Sequence, residues 1–366
     1  MVIASLVVAL SYGLFATALP AQQPLVGIDV VDTANDCIPE NALTPEKTYY
    51  GVGKNNVTNE GPVRLRISNG GAGLSGLVGA LANEFITYMV DKKEPPEDPF
   101  AIEWVKGDTT ETLSYLKTRQ ADIGITYNKA AECQAISDNV AARRVYGFRD
   151  HFYLVGPSDP DNPAGLKKYE EGGQNENVLT QFQKIVSTGN DPNQKNPTRF
   201  LSRFDKSATN IKDSELFVAI GQVPWGLAYS KWYHQYTMYP IDALKAAALL
   251  GEYTITDRGT WLSTSPIFTE MLDIYNTGQD DPAQDVAGGT EAPADPLLNP
   301  AFFLTSTKIC DANKKLADEF LEWTTDSEHG QKVIEQFRGN VSNEWLYTRA
   351  PTRKDLRIQN CSTLGS

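Results

Sequence analysis

The chain has 366 residues, enough for two domains of ordinary size. With 41% apolar and 22% charged residues, its composition is that of a globular protein with a substantial core. Its 33 Lys and Arg against 46 Asp and Glu leave a formal charge of −13, which repels phosphate backbones and excludes general nucleic-acid binding; taken alone, the same charge argues against a small anionic ligand.

Met1 to Ala18 carry no charge, Val2 to Phe15 is a nearly continuous apolar run, and Ala16-Thr17-Ala18 is an A-x-A cleavage pattern, with Ala21 a second cleavage point. This reads as a secretory signal peptide over residues 1–21, although its basic n-region is missing. The run is shorter than the ~18–20 apolar residues that cross a bilayer, and Leu19-Pro20 breaks it. No later stretch suits a membrane span, and the C-terminus has no hydrophobic tail for a GPI anchor. Cys37, Cys133, Cys310 and Cys361 form no C-x-x-C pair, so two disulfides are expected in a secreted chain. Of the three possible pairings, Cys37 with Cys133 and Cys310 with Cys361 is preferred. Asn56, Asn340 and Asn360 each open a glycosylation acceptor triplet. Together with the uncharged signal, these point to a eukaryotic secreted protein.

Residues 22–61 look irregular and polar, a candidate N-terminal extension. Val63 to Ile67 alternates as a strand does, a glycine-rich turn Asn69-Gly70-Gly71-Ala72-Gly73 follows, and Leu77, Leu81, Phe85 and Tyr88 predict a helix from Leu74 to about Val90. Phe100 to Val105 reads as a strand. Thr109 is the expected N-cap of a helix reaching Thr118, and Ala121 to Ile125 is a third strand. This alternation predicts a parallel sheet flanked by helices. Arg144 to Gly156 reads as a long strand, and Val178 to Val186 as a helix. A further helix is expected after Thr209, another over Ile241 to Leu250, and a strand over Tyr253 to Thr256. Residues 279–296 have loop composition, with the pair Asp280-Asp281 expected on the solvated surface. Phe302 to Leu304 is a strand, and Lys314 to about Phe337 is helical.

Gly71-Ala72-Gly73-Leu74-Ser75-Gly76 spells G-x-G-x-x-G after a strand, but the second strand ends without a ribose-binding acid, and a secreted chain meets little NAD. The physics of such a turn still suits an anion, because glycines let the backbone approach and a helix start presents free N–H groups. His151, His234 and His329 are scattered, and Ser75 lacks the G-x-S-x-G frame, so no triad is picked out. No metal-ligand spacing is present, and no cofactor is expected.

Ser202-Arg203-Phe204-Asp205-Lys206-Ser207-Ala208-Thr209 is similar to the S-R-G-D-x-S-G-T motif of tungstate-binding proteins of ABC importers, members of the phosphate-like type II periplasmic-binding-protein superfamily. Other segments match in order. Val63 to Leu77 resembles the family's first strand, ligand loop and helix. Gln120 to Ile125 resembles its G-D-A-D-V strand, and Phe152 to Pro157 with Asn162 to Leu166 its F-V-I-V-G-P…P-A-G segment. Tyr253 to Leu262 resembles its Y-T-L-T-D-R-G-T-Y-L. The resemblance covers about Val63 to Phe337. It implies an α/β type II periplasmic-binding-protein fold of two lobes joined by a two-strand hinge, with residues 62–151 and 300–366 as a discontinuous lobe one and 152–299 as lobe two. It implies a small oxyanion, tungstate- or molybdate-like, held in the cleft of a monomer without catalysis.

In place of the family's T-T-T-S loop stand Ser68, Asn69, Gly70 and Gly71, whose amides and Asn69 side chain would donate to the ligand. Thr109 would add a donor from its helix start. Arg203 matches the motif arginine, and Ser207 and Thr209 match its hydroxyls, while Phe204 and Ala208 replace glycines. Arg258 matches the T-D-R-G-T arginine, where a structural ion pair with Asp257 or a neighbour stands beside ligand contact. The alternative readings are a module of the same fold for a small organic acid or a partner protein, and a secreted hydrolase. A transporter partner is left open.

Overall fold

The structure is a computed structural model and describes residues 37–52, 60–227, 229–285, 295–339, 342–352 and 361, which fall within one compact unit spanning 32–366. The expected signal peptide (1–21) and the acceptor residues Asn56, Asn340 and Asn360 lie outside the described residues.

Lys47–Tyr49 (β1) is followed by Val63–Asn69 (β2), the helices Gly71–Leu74 (α1) and Leu77–Thr87 (α2), and Ala101–Lys106 (β3). β1 lies inside the stretch expected to be irregular, yet pairs antiparallel with β3 at the sheet edge. Three residues are too few to show a period of two. The single helix expected from Leu74 is broken instead: Gly76 takes φ 95°, a left-handed conformation that glycine adopts without a Cβ clash, and α2 restarts after it. Thr109–Lys117 (α3) starts one residue earlier than expected. Its cap is Asp108, which accepts from the Glu111 amide at 2.8 Å while the Glu111 carboxylate accepts from the Asp108 amide at 3.0 Å. Thr109 is therefore the first helical residue, not the cap. Ile123–Thr126 (β4) and Lys129–Ser137 (α4) complete this alternation, and β2 runs parallel to both β3 and β4.

Ala141–Pro157 (β5) is the longest strand. Beyond it come Val178–Asn190 (α5), Phe200–Ser202 (β6), Ala208–Ala219 (α6), Tyr233–Gln235 (β7), Pro240–Leu250 (α7) and Tyr253–Asp257 (β8). Arg258–Ser263 (α8), Pro266–Thr269 (α9), Leu272–Thr277 (β9), Leu298–Ser306 (β10), Asp311–Thr325 (α10), Gly330–Gln336 (α11) and Thr348–Arg349 (β11) follow. The sheet order is β1-β3-β2-β4-β10-β5-β8-β6-β7, with β9 and β11 also on β5. β5 changes partners along its length. Up to His151 it pairs with β10, and from Phe152 onward with β8. β10 lies antiparallel between β4 and β5, so these two long strands are the two-strand hinge of an α/β type II fold.

Each half of the sheet has its own apolar core. In the first, Leu65, Ile67 and Ile102 pack under Phe85, whose ring meets Phe320 at 5.1 Å and Trp323 at 5.5 Å. In the second, Phe182, Phe200 and Phe217 cluster with centroids 4.9–5.5 Å apart over Leu154 and Tyr253.

The disulfides join Cys37 to Cys310 and Cys133 to Cys361, correcting the expected pairing. Pairing by sequence proximity fails because β10 returns beside β4 and delivers Cys310 to the half of the fold where the chain began. Of the pair Asp280-Asp281, Asp280 is exposed as expected, whereas Asp281 departs from expectation. Asp281 is buried and caps a turn through the Ala283 amide, and Asp280 accepts from the buried His151 and from Thr348.

Candidate functional site

Where β5 passes between its two sets of partners, the structure holds a cavity of about 60 Å³, room for a few waters or one small ion. Seven of the eight expected ligand residues line it: Asn69, Gly70 and Gly71 after β2, Thr109 at the start of α3, and Arg203, Ser207 and Thr209 around the start of α6. The eighth, Ser68, lies beneath the loop, fully buried, with its hydroxyl 2.9 Å from that of Thr112. Asp257 lines the cavity, but Arg258 does not.

The two walls are touching. The Thr110 hydroxyl donates to the Lys206 carbonyl at 3.2 Å, Asn128 donates to Glu215 at 3.3 Å, and the Lys106 ammonium lies 4.6 Å from the Tyr239 ring centroid. α3, α6 and α7 all begin at the cavity, through Asp108-Thr109, Ser207-Ala208 and Tyr239-Pro240. Each presents the positive end of its backbone dipole there. Proline at the first position of α7 gives up no bond, since that N–H has no partner within the helix.

The loop after β2 is braced rather than free. The Asn69 amide donates to the Ile125 carbonyl at 2.8 Å, and its oxygen accepts from the Gly73 amide at 3.0 Å. Its own carbonyl accepts from the Trp104 indole at 2.8 Å. The side chain expected to donate to a ligand is thus committed to holding the loop, leaving the Gly70 and Gly71 backbone as the loop's contribution to the wall. Arg203 is buried, and its guanidinium donates to the Met238 carbonyl at 3.0 Å and to Asp205 at 2.5 Å. Phe204 and Lys206 on either side of Asp205 have φ of 47° and 63°, a tight turn in the left-handed region where the resembling motif has a glycine at the first of them.

Asp257 is expected only as a supporting residue beside Arg258, and the other two carboxylates of the cavity are not foreseen. Asp108, Asp150 and Asp257 line it together with Tyr127 and Asn299. Asp150 is buried on β5 directly opposite Asn299 of β10, whose amide donates to it at 3.2 Å. Burial first, and the neighbouring Asp257 second, push its carboxyl well above the usual range. Asp257 is held differently: the Thr260 amide and hydroxyl donate to its two oxygens at 2.8 and 2.6 Å at the start of α8. The signal that could have found Asp150 was present, because Arg149-Asp150-His151 is a polar run set between the apolar stretches Val145–Phe148 and Phe152–Val155 of one strand. Arg258 points elsewhere. It stacks 3.6 Å from the Trp345 ring centroid, donates to the Trp345 carbonyl and the Tyr153 hydroxyl, and pairs with Glu344. Its structural role is the one observed, with Glu344 rather than Asp257 as its acid.

Comparison with known proteins agrees with this fold. The family model described as a PBP superfamily domain matches residues 56–328. A protein of Haloferax volcanii provisionally named as an ABC transporter anion-binding protein is 27% identical over 263 residues, 70% of this chain and 67% of its own length. The tungstate-binding protein TupA of Peptoclostridium acidaminophilum is 30% identical over 155 residues, 42% of this chain and 48% of its own. Among solved structures, a periplasmic protein provisionally described as metal binding is 45% identical, with a TM-score of 0.70, covering 84% of this chain and all of its own.

Proposed function

The chain belongs to the PBP superfamily, and from that premise we propose that it captures a small tetrahedral oxyanion of the tungstate or molybdate type between its two lobes, without catalysing a reaction. The observation that carries this reading is the meeting in one small cavity of Arg203, Ser207 and Thr209 with the Gly70–Gly71 backbone and the starts of three helices. Amide and hydroxyl donors around one guanidinium suit an anion that offers only acceptors. The net charge of −13 does not oppose this, because a ligand enclosed by local donors depends little on distant surface carboxylates.

Lobe limits of 62–151 with 300–366, and 152–299, stand as part of the proposal. They are supported by the handover of β5 partners at His151/Phe152 and the start of β10 at Leu298. The apolar N-terminus and the two disulfides support export.

Calorimetry with tungstate, molybdate, sulfate and phosphate tests the reading. Wild type is expected to bind at least one of them, and Arg203→Ala to lose about 100-fold in affinity or more, near 3 kcal/mol, as expected for deleting one partner of a buried charge pair. Absence of binding to all four anions would sink it. The second reading is a bare divalent cation, favoured by the three carboxylates of the cavity, although the described residues hold no cluster of three acidic, histidine or cysteine side chains set to ligate a metal. Binding of divalent cations in the same titration, with no response to anions, would put that reading first.

A further inference from the structure

The described residues lining the cavity include one cationic side chain, Arg203, which already pairs with Asp205, and three carboxylates, Asp108, Asp150 and Asp257. A dianion cannot sit beside three ionised, desolvated carboxylates with so little compensation. Resting on the oxyanion reading above, we propose that the cleft takes up its anion together with one proton, carried by Asp150, whose carboxylic acid donates a hydrogen bond to an anion oxygen. Asp150 is thereby the residue that favours an acceptor-only anion.

Geometry selects Asp150 among the three. Asp257 receives two hydrogen bonds at 2.8 and 2.6 Å from Thr260, and Asp108 is locked into the α3 capping box, so the acceptor oxygens of both are already engaged at helix starts. Asp150 lies within a strand and caps no helix. One of its oxygens accepts from the His151 amide at 2.8 Å, and the other has only the longer 3.2 Å bond from Asn299. The register places it on the same face as Phe152, the residue opposite Asp257, so the two acids are diagonal neighbours facing one space. Two acids in that relation do not both stay ionised, and the one with weaker donors takes the proton.

The groups that face Asp150 from its surroundings are these. β8 contributes Asp257, Arg258 of α8 acts on Asp150 only through its charge, with its guanidinium turned to Trp345 and Glu344, and Tyr127 follows β4. The C-terminal segment contributes Tyr347, and the opposite wall Arg203 with Asp205. Burial pushes both tyrosines up, so they stay neutral across the accessible range. On β5 itself, Arg149 and His151 are bonded to Asp285 and Asp280.

The test is calorimetry with tungstate and molybdate between about pH 6 and about pH 9 on wild type, Asp150→Asn and Arg203→Ala, with circular dichroism to show that each variant is folded. The asparagine amide is a permanent donor in place of the acid. Wild-type affinity should fall up to tenfold per pH unit once the pH exceeds the carboxyl's own pKa, because each anion must then bring a proton. Asp150→Asn should bind with no pH slope across that range. Infrared difference spectra of the anion-bound proteins should show a protonated-carboxyl band in wild type that Asp150→Asn lacks. The proposal is overturned if the variant keeps the wild-type slope, if wild-type affinity is flat, or if that band is missing while anions bind. The oxyanion reading itself fails if folded wild type binds no anion at any pH.

Discussion

Asp213 shows how a single buried acid is used for structure rather than for ligand. It lies in α6, nearly two turns past Ser207, and accepts from the Ser202 hydroxyl at 2.7 Å and from Asn210 and Ser214 at 3.3 Å, with no cation among these partners. Burial is the main cause that pushes its carboxyl up to about 7. The folded state therefore holds this proton more tightly than the unfolded chain, whose value is near 3.8. The stability it contributes is complete below about pH 4 and is lost as pH rises through about 7, on the order of 4 kcal/mol in all. Asp213→Asn keeps the neutral donors and acceptors and removes the titration. It is expected to match wild type below about pH 4 and to exceed it in denaturant midpoint at pH 8. A variant less stable than wild type at pH 8 would contradict this. At this scale the sequence was legible where a side chain belongs to a motif, as with Arg203, Ser207 and Thr209. It was not legible where partners come from distant strands. Asn69 is tied to Ile125, and Arg258 to Trp345 and Glu344. No local spacing announces those contacts.

Among the elements, those of ten residues or so carry a periodic pattern, and α2, α7 and β5 fall where that pattern puts them. Some short ones, β3, β4 and β8 among them, do so too, but others do not. β1, β6, β7, β9 and β11 are two to six residues long and are defined by the strand beside them. The loop that forms one wall of the cavity depends on such a neighbour. α1 sits directly on β3: a Cβ placed on Gly73 would come within 2.1 Å of the Trp104 ring, whose indole N–H holds the Asn69 carbonyl. The glycine is required for that close approach, which is why a sequence that spells G-x-G-x-x-G need not mean a dinucleotide. Gly73→Ala must displace the indole and release the loop. A loss of about 1–3 kcal/mol is expected from overpacking, with a shift in tryptophan emission and weaker anion binding. Unchanged emission and affinity would show that the loop does not rely on this contact.

On the scale of the whole molecule, the two halves are stabilised by different means. Both disulfides fasten the half containing β1 to β4. Cys37 precedes β1, Cys310 caps α10 after β10, and Cys133 in α4 holds Cys361. Neither reaches a residue between Phe152 and Leu297, so the second half rests on noncovalent packing, with the aromatic cluster its largest core. Each bond closes a loop of more than two hundred residues, with separations of 273 and 228. Removing one is expected to cost about 2–5 kcal/mol. The cavity lining includes no cysteine, and the hinge strands are held by backbone pairing. Replacing Cys133 and Cys361 together by serine should therefore lower the melting temperature while leaving tungstate affinity within about twofold, because the anion's donors sit on elements that the bond does not position. A matching loss of affinity, measured well below the variant's melting temperature, would mean that the first half transmits strain to the cleft, and the independence of the two would have to be given up.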